Sequence, residues 1–184
     1  WALRQNRSVR VLLVGDNKAG SIFGTPDDAN LGHGVAIQRA IKANVMVREL
    51  DLSYNAMCTE ACEGVLNAIL QNHTIRRLSL RGNKMDDTIA DALFDLITFN
   101  NVLEELDLGE NKLGYSCSHC LGESIGTNRA LKILAVDYNE LSAAGTSTLD
   151  TFTRGIYLNS SMRTLILDGN KLGSSWGVGI AHAL

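Results

Sequence analysis

Aliphatic residues along the chain fall into one nine-residue phrase that keeps returning. It reads Val47-Arg-Glu-Leu50-Asp-Leu52-Ser-Tyr-Asn55, then Ile75-Arg-Arg-Leu78-Ser-Leu80-Arg-Gly-Asn83, then Leu103-Glu-Glu-Leu106-Asp-Leu108-Gly-Glu-Asn111. Leu131-Lys-Ile-Leu134-Ala-Val136-Asp-Tyr-Asn139 and Met162-Arg-Thr-Leu165-Ile-Leu167-Asp-Gly-Asn170 continue it, and Val9-Arg-Val-Leu12-Leu-Val14-Gly-Asp-Asn17 precedes it. The first, fourth and sixth positions are always apolar, which predicts a short strand whose alternate side chains turn inward. The closing asparagines stand at 17, 55, 83, 111, 139 and 170, so the spacings are 38, 28, 28, 28 and 31. A second asparagine keeps phase three residues before each opening aliphatic, at 6, 44, 72, 100, 128 and 159. Six copies with two asparagines each predict an array of stacked repeats.

Between the phrases the apolar spacing becomes helical, as in Val65, Leu66, Ile69 and Leu70, or Leu93, Phe94 and Ile97. Each closing asparagine is expected to bond backbone groups of the neighbouring turn, forming a ladder. Asn72 and Asn100 fall at helix ends, where a left-handed cap is expected. Strands stack about 4.8 Å apart and helices roughly 8–10 Å apart. An array of strand–helix units therefore bends, with the strands lining its inner face.

The shared pattern L-x-x-L-x-L-x-x-N resembles the leucine-rich repeat. The 28-residue period with a full helix is similar to the ribonuclease-inhibitor-like class, which includes the Ran GTPase-activating protein, the tropomodulin C-terminal domain and the repeat domains of NOD-like receptors. The resemblance covers essentially the whole chain and implies an α/β solenoid, a horseshoe arc with parallel strands on the concave face and helices on the convex face. Residues 1–184 are expected to form a single domain of about six repeats. Leu3 precedes Asn6 as Ile69 precedes Asn72, and Leu184 falls partway through a helical segment. The expectation is an array cut from a longer one, since neither end shows a capping unit.

Two copies depart from the period. The first carries ten extra residues in or near Ala19–Gly34, rich in glycine and holding the only proline, as expected of a surface loop. Its glycines are not spaced to cradle a phosphate. The fifth carries three extra residues between Leu141 and Asn159, expected to lengthen or kink a helix.

Composition narrows the class. Hydrophobic residues make up 45 %, charged ones 20 %, and the net charge is −3, which argues against disorder and against a nucleic-acid binder. No run is long and apolar enough to span a membrane. Four cysteines and no leader point to an intracellular, cytoplasmic setting rather than a disulfide-stapled module.

Candidate chemistry is sparse. Cys117-Ser-His119-Cys120 suggests half a zinc site or a redox dithiol. The other pair, Cys58 and Cys62, lies two repeats away, about 16–20 Å on the helix side, too far to share a metal. In the repeat frame Cys117 takes the place of Ala61, Ile89 and Gly145, so a small buried thiol is expected, with no metal and no cofactor. Asn6-Arg-Ser8, Asn72-His-Thr74 and Asn159-Ser-Ser161 match the glycosylation acceptor pattern, yet their shared repeat phase already explains them. Hydrolase, zincin, kinase and P-loop signatures are missing, so no enzyme is expected.

Function is expected on the inner face, at the third, fifth, seventh and eighth positions. These positions hold eight carboxylates (Asp16, Glu49, Asp51, Glu105, Asp107, Glu110, Asp137, Asp168) and two arginines, Arg77 and Arg81, beside Ser79, with Tyr54 and Tyr138 in the eighth column. The expected partner is a protein with a basic surface, with Tyr54 and Tyr138 as amphipathic anchors. Neither nucleic acid, membrane nor small-molecule substrate is implied. Glu49, Arg77 and Glu105 could equally form cross-strand ion pairs and no more. Resemblance to the Ran GTPase-activating protein implies a second role, an accessory acting on a small GTPase, in which Arg77 or Arg81 would meet transition-state charge. A third is an architectural segment of a cytoskeletal or ciliary assembly.

Overall fold

The computed structural model of the chain describes residues 2–18, 35–141 and 146–184. Six three-residue strands, β1 (Val11–Leu13), β2 (Glu49–Asp51), β3 (Arg77–Ser79), β4 (Glu105–Asp107), β5 (Ile133–Ala135) and β6 (Thr164–Ile166), form one parallel sheet in sequence order. Helices return the chain between them: α1 (Ala2–Gln5), α2 (Val35–Ala43), α3 (Thr59–Leu70), α4 (Ala90–Phe99), α5 (Tyr115–Thr127), α6 (Thr146–Leu158) and α7 (Ser174–Ala183). A 3₁₀ turn, Asp87–Ile89, leads into α4. Register is in phase throughout, so Glu49 faces Arg77 and Arg77 faces Glu105.

The inward positions build the core. Leu50, Leu78, Leu106 and Leu134 are at most 2 % exposed, and the sixth-position Leu52, Leu80, Leu108 and Val136 are fully buried against Leu66, Leu93 and Leu121 of the helices. Leu12 and Leu165, on the two outermost strands, are only partly buried, since each has a strand on one side alone.

Both asparagine series act between repeats. Asn111 donates from Nδ2 to the carbonyls of Leu80 (3.2 Å) and Leu108 (3.0 Å), while its Oδ1 accepts from the Met85 amide (3.2 Å). Asn83 and Asn139 repeat the arrangement one copy earlier and later. In the second series Asn100 donates to Ile69 O (2.9 Å) and accepts from the amides of Val102 and Leu103. Buried backbone groups at both ends of the inner strands are thereby satisfied.

Two expectations change. The helix-end asparagines do not adopt a left-handed conformation: Asn100 has φ −82° and Asn128 φ −67°, both extended, so that Oδ1 can turn forward onto the next two amides. Left-handed geometry sits instead at the eighth position of every copy, at Asp16, Tyr54, Gly82, Glu110, Tyr138 and Gly169. The chain must reverse there between the strand and the closing asparagine. In the fifth copy, α6 is no longer than α5, at thirteen residues each, so the three extra residues precede Thr146 rather than lengthen the described helix. The Ala19–Gly34 insertion and Gly145 lie outside the described residues.

Candidate functional site

The strand face carries three ranks of side chains. In the third column Arg77 reaches both neighbours, Nη1 to Glu49 Oε2 (3.1 Å) and Nε to Glu105 Oε1 (3.0 Å). Glu105 and then Glu49 push the Arg77 pKa above its ordinary value. In the fifth column Asp51 and Asp107 each accept an amide two residues on, from Ser53 (2.8 Å) and Gly109 (3.0 Å), which closes the turn after the strand. Ser79 lies between them in register and donates weakly to Asp107 (3.5 Å).

The third rank centres on Arg81. Its Nε meets Asp107 (3.1 Å), Nη1 meets Glu110 (3.1 Å), and Nη2 reaches Asp137 (2.7 Å) in the second repeat onward. Gly109 makes that reach possible, because a Cβ there would stand 2.4 Å from Arg81 Nη1. Burial works against the Arg81 charge, yet Asp107 and Asp137 outweigh it and the pKa rises. Asp137, expected on the open face, is only 5 % exposed beneath this guanidinium. It is an internal counter-ion and offers little to a partner.

Tyr54 and Tyr138 do not form a pair. They lie three repeats apart, and each ring covers the eighth-position glycine of the following copy, Tyr54 over Gly82 and Tyr138 over Gly169. The Tyr54 hydroxyl donates to Glu110 (2.7 Å), a bond that raises its pKa. Tyr138 is 61 % exposed, and Asp168 is exposed beyond it.

A shallow cleft of about 460 Å³ crosses the face from Leu13 to Ile166. Its floor reveals what the charge count concealed. Acidic residues occupy only the middle strands, while Val11 (50 % exposed) and Leu13 (61 %) flank them on β1 and Ile133 and Ile166 flank them on β5 and β6. The signal was present in the sequence, in the third and fifth columns of the first, fifth and sixth phrases. Chemically the face can attract cations and bury apolar groups. Both arginines are already committed to carboxylates. Among the described residues no group of three His, Cys, Asp or Glu is placed to hold a metal, and no helix is long and apolar enough to cross a membrane.

A family model described as leucine-rich repeat matches residues 71–94 and 99–116. In-phase strands and twin asparagine ladders extend the same unit over the other copies. The fold is that of a leucine-rich repeat solenoid. Among solved structures the Caenorhabditis elegans tropomodulin C-terminal domain matches with a TM-score of 0.66 at 16 % identity, over 81 % of this chain and 89 % of that one. A structure titled leiomodin-1 actin-binding site 2 matches with a TM-score of 0.69 at 14 % identity, over 82 % and 86 %. No curated protein sequence gave a match.

The leucine-rich repeat frame accounts for the remaining motifs. Asn72 and Asn159 of the acceptor triplets commit Nδ2 to carbonyls of the previous repeat, Ile41 O (2.8 Å) and Ile125 O (2.6 Å). Cys117 is fully buried, in the slot that Ala61 and Ile89 fill in earlier copies. Burial pushes the thiols of Cys62 and Cys120 up to about 12 and that of Cys117 up as well, so none of the three is a thiolate at neutral pH. What fixes Cys117 is Asp87, a residue that sequence reasoning missed. Its carboxylate crosses from the preceding repeat and accepts the amides of Gly114 (2.9 Å), Ser116 (2.7 Å) and Cys117 (2.8 Å).

Proposed function

We propose that this chain is a non-catalytic protein-interaction module whose strand face receives a basic, partly apolar surface of its partner. The reading rests on the middle of the face. Glu49, Asp51, Glu105, Asp107 and Glu110 face two arginines there, and Asp51 has no cationic partner among the described residues. An uncompensated negative centre raises the encounter rate with a cationic surface, and the flanking aliphatic side chains give such a surface something to bury. The buried thiols of Cys62, Cys117 and Cys120, which form no disulfide among the described residues, suit a reducing, intracellular setting.

Neutralising four residues together (Glu49→Gln, Asp51→Asn, Glu105→Gln, Asp107→Asn) is expected to abolish capture of the partner that the unaltered protein retains. Unchanged capture would sink the assignment of the site. Actin is the first partner to try by cosedimentation, because the leiomodin-1 structure sharing the fold is titled an actin-binding site. The GTPase-accessory role has less support, since Arg77 and Arg81 are each tied to at least two carboxylates. No acceleration of turnover is expected across a panel of small GTPases.

A further inference from the structure

The second position of each phrase carries a feature that the acidic face hides. It reads Arg10, Arg48, Arg76, Glu104, Lys132 and Arg163, five cations and one carboxylate on the rim where the chain enters the strands. Arg10 and Arg48 lie along this rim, each bonded to a backbone carbonyl of the next repeat, at Met46 (3.4 Å) and Thr74 (3.1 Å). Among the described residues neither forms an ion pair, nor does exposed Arg163. At the centre Arg76 and Lys132 close on Glu104 from either side and lower its pKa, Lys132 more than Arg76. Beside them Arg129 adds a further cation to a depression of about 310 Å³ with Val102 and Ala130 in its wall. The opposite ends of the same strands run into the carboxylates of the eighth column, Asp16, Glu110 and Asp168. Lys18, Lys84, Lys112 and Lys171 follow the closing asparagines on that side, so the far rim is of mixed charge and only the entry rim is predominantly basic.

We infer that the basic rim is a second interaction surface, and that it binds an extended acidic peptide segment of a partner protein. Five strand intervals of about 4.8 Å make the rim about 24 Å long, which an extended chain covers in roughly seven residues. Alternate side chains of such a chain face the rim together, so carboxylates spaced by small aliphatic residues meet the cations and the Val102–Ala130 wall in turn. Uniform polyanions fit less well. A nucleic-acid backbone or an anionic bilayer would bring dense charge against Glu104 and against Glu49 and Glu105 in the adjacent column, whereas a peptide can place a neutral residue there.

The test is an NMR titration of the isotopically labelled full chain with an end-blocked octapeptide alternating Glu and Val. Shifts are expected at the amides of Arg48, Arg76 and Lys132, with affinity reduced at least tenfold in the double variant Arg48→Glu/Arg163→Glu. A control variant, Lys84→Glu/Lys112→Glu, changes net charge equally on the opposite side of the strands and is expected to bind within twofold of the unaltered chain. Retained dispersion in the amide spectrum establishes that each variant is folded, and Arg48→Gln/Arg163→Gln replaces the reversal if it is not. Absence of rim shifts at millimolar peptide, or equal weakening in both double variants, overturns the inference. So does tighter rim binding by oligothymidylate or by phosphatidylserine vesicles, which would assign the rim to nucleic acid or membrane.

Discussion

At the scale of single residues, the unusual requirement is a left-handed backbone outside glycine. Tyr54 (φ 52°), Glu110 (φ 53°) and Tyr138 (φ 51°) accept it at the eighth position, and Lys18, Ala56 and Lys171 accept it two residues later. The conformation costs an L-residue roughly 1–2 kcal/mol, because Cβ crowds the following carbonyl. Tyr54 recovers part of that through its ring on Gly82 and its bond to Glu110. Ala56 is exposed at φ 55° and recovers nothing through its methyl group. Ala56→Gly is therefore expected to stabilise the fold by roughly 0.5–1 kcal/mol, after glycine's larger loss of chain entropy is subtracted. Thermal unfolding should show a Tm higher by about 1–4 °C. Gly82→Ala should move the other way, since its φ is +63° and the new Cβ would stand 2.2 Å from Tyr54 Cδ1. An Ala56→Gly protein no more stable than its parent would show that the turn carries no strain.

At the scale of elements, the start of α5 depends on a carboxylate from another repeat. Gly114 has no side chain to cap the helix, and Asp87 supplies the acceptor for three of its first free amides. Burial alone would raise the Asp87 pKa, but the amides of Cys117 and Ser116 outweigh it and bring it below 3.8. A folded-state pKa below the unfolded one means the stabilisation is present in full above about pH 4 and lost as pH falls through the lower, folded value. Asp87→Ala should thus cost roughly 1–2 kcal/mol at pH 7, in the upper range for a cap. The difference from the unaltered chain should shrink on acidification to pH 2–3, as read from urea unfolding at each pH. A deficit independent of pH would mean that the carboxylate is not the cap. The period predicted every strand and the helices from α3 onward, because stacking repeats a local pattern of apolar positions. It could not disclose Asp87, which acts on amides 27 to 30 residues away, nor the burial of Asp137, which follows from Arg81 passing over a glycine in the intervening copy. Such contacts run between columns, and the alignment of one column says nothing of another.

At the scale of the whole molecule, each repeat touches its neighbours and little else, so stability should be distributed along the array as nearest-neighbour terms. Fourth-position leucines report on this directly. Leu106 is 1 % exposed between strands on both sides, whereas Leu165, on the outermost strand β6, is only partly buried. Truncation at Leu106 leaves a cavity closed by two neighbouring repeats, with an expected cost of roughly 2–5 kcal/mol. At Leu165 the same change removes atoms already partly in contact with water, so both the transfer and the cavity contributions shrink, and a cost about half as large is expected. Hydrogen exchange should follow the same order. Amides of β3 and β4, together with those of Leu80 and Leu108 just beyond them, which donate to Asp107 O (2.8 Å) and Ala135 O (2.8 Å) of the adjoining strands, should exchange only with global opening. Those of β6 should exchange sooner, and Leu106→Ala should accelerate the central strands while Leu165→Ala leaves them nearly unchanged. Equal acceleration of all six strands by either substitution would show a single cooperative unit instead. The acidic centre of the face and the cations Arg76 and Lys132 sit on the repeats expected to be most protected, whereas Arg10 and Arg163, at the two ends of the basic rim, sit on the outermost strands.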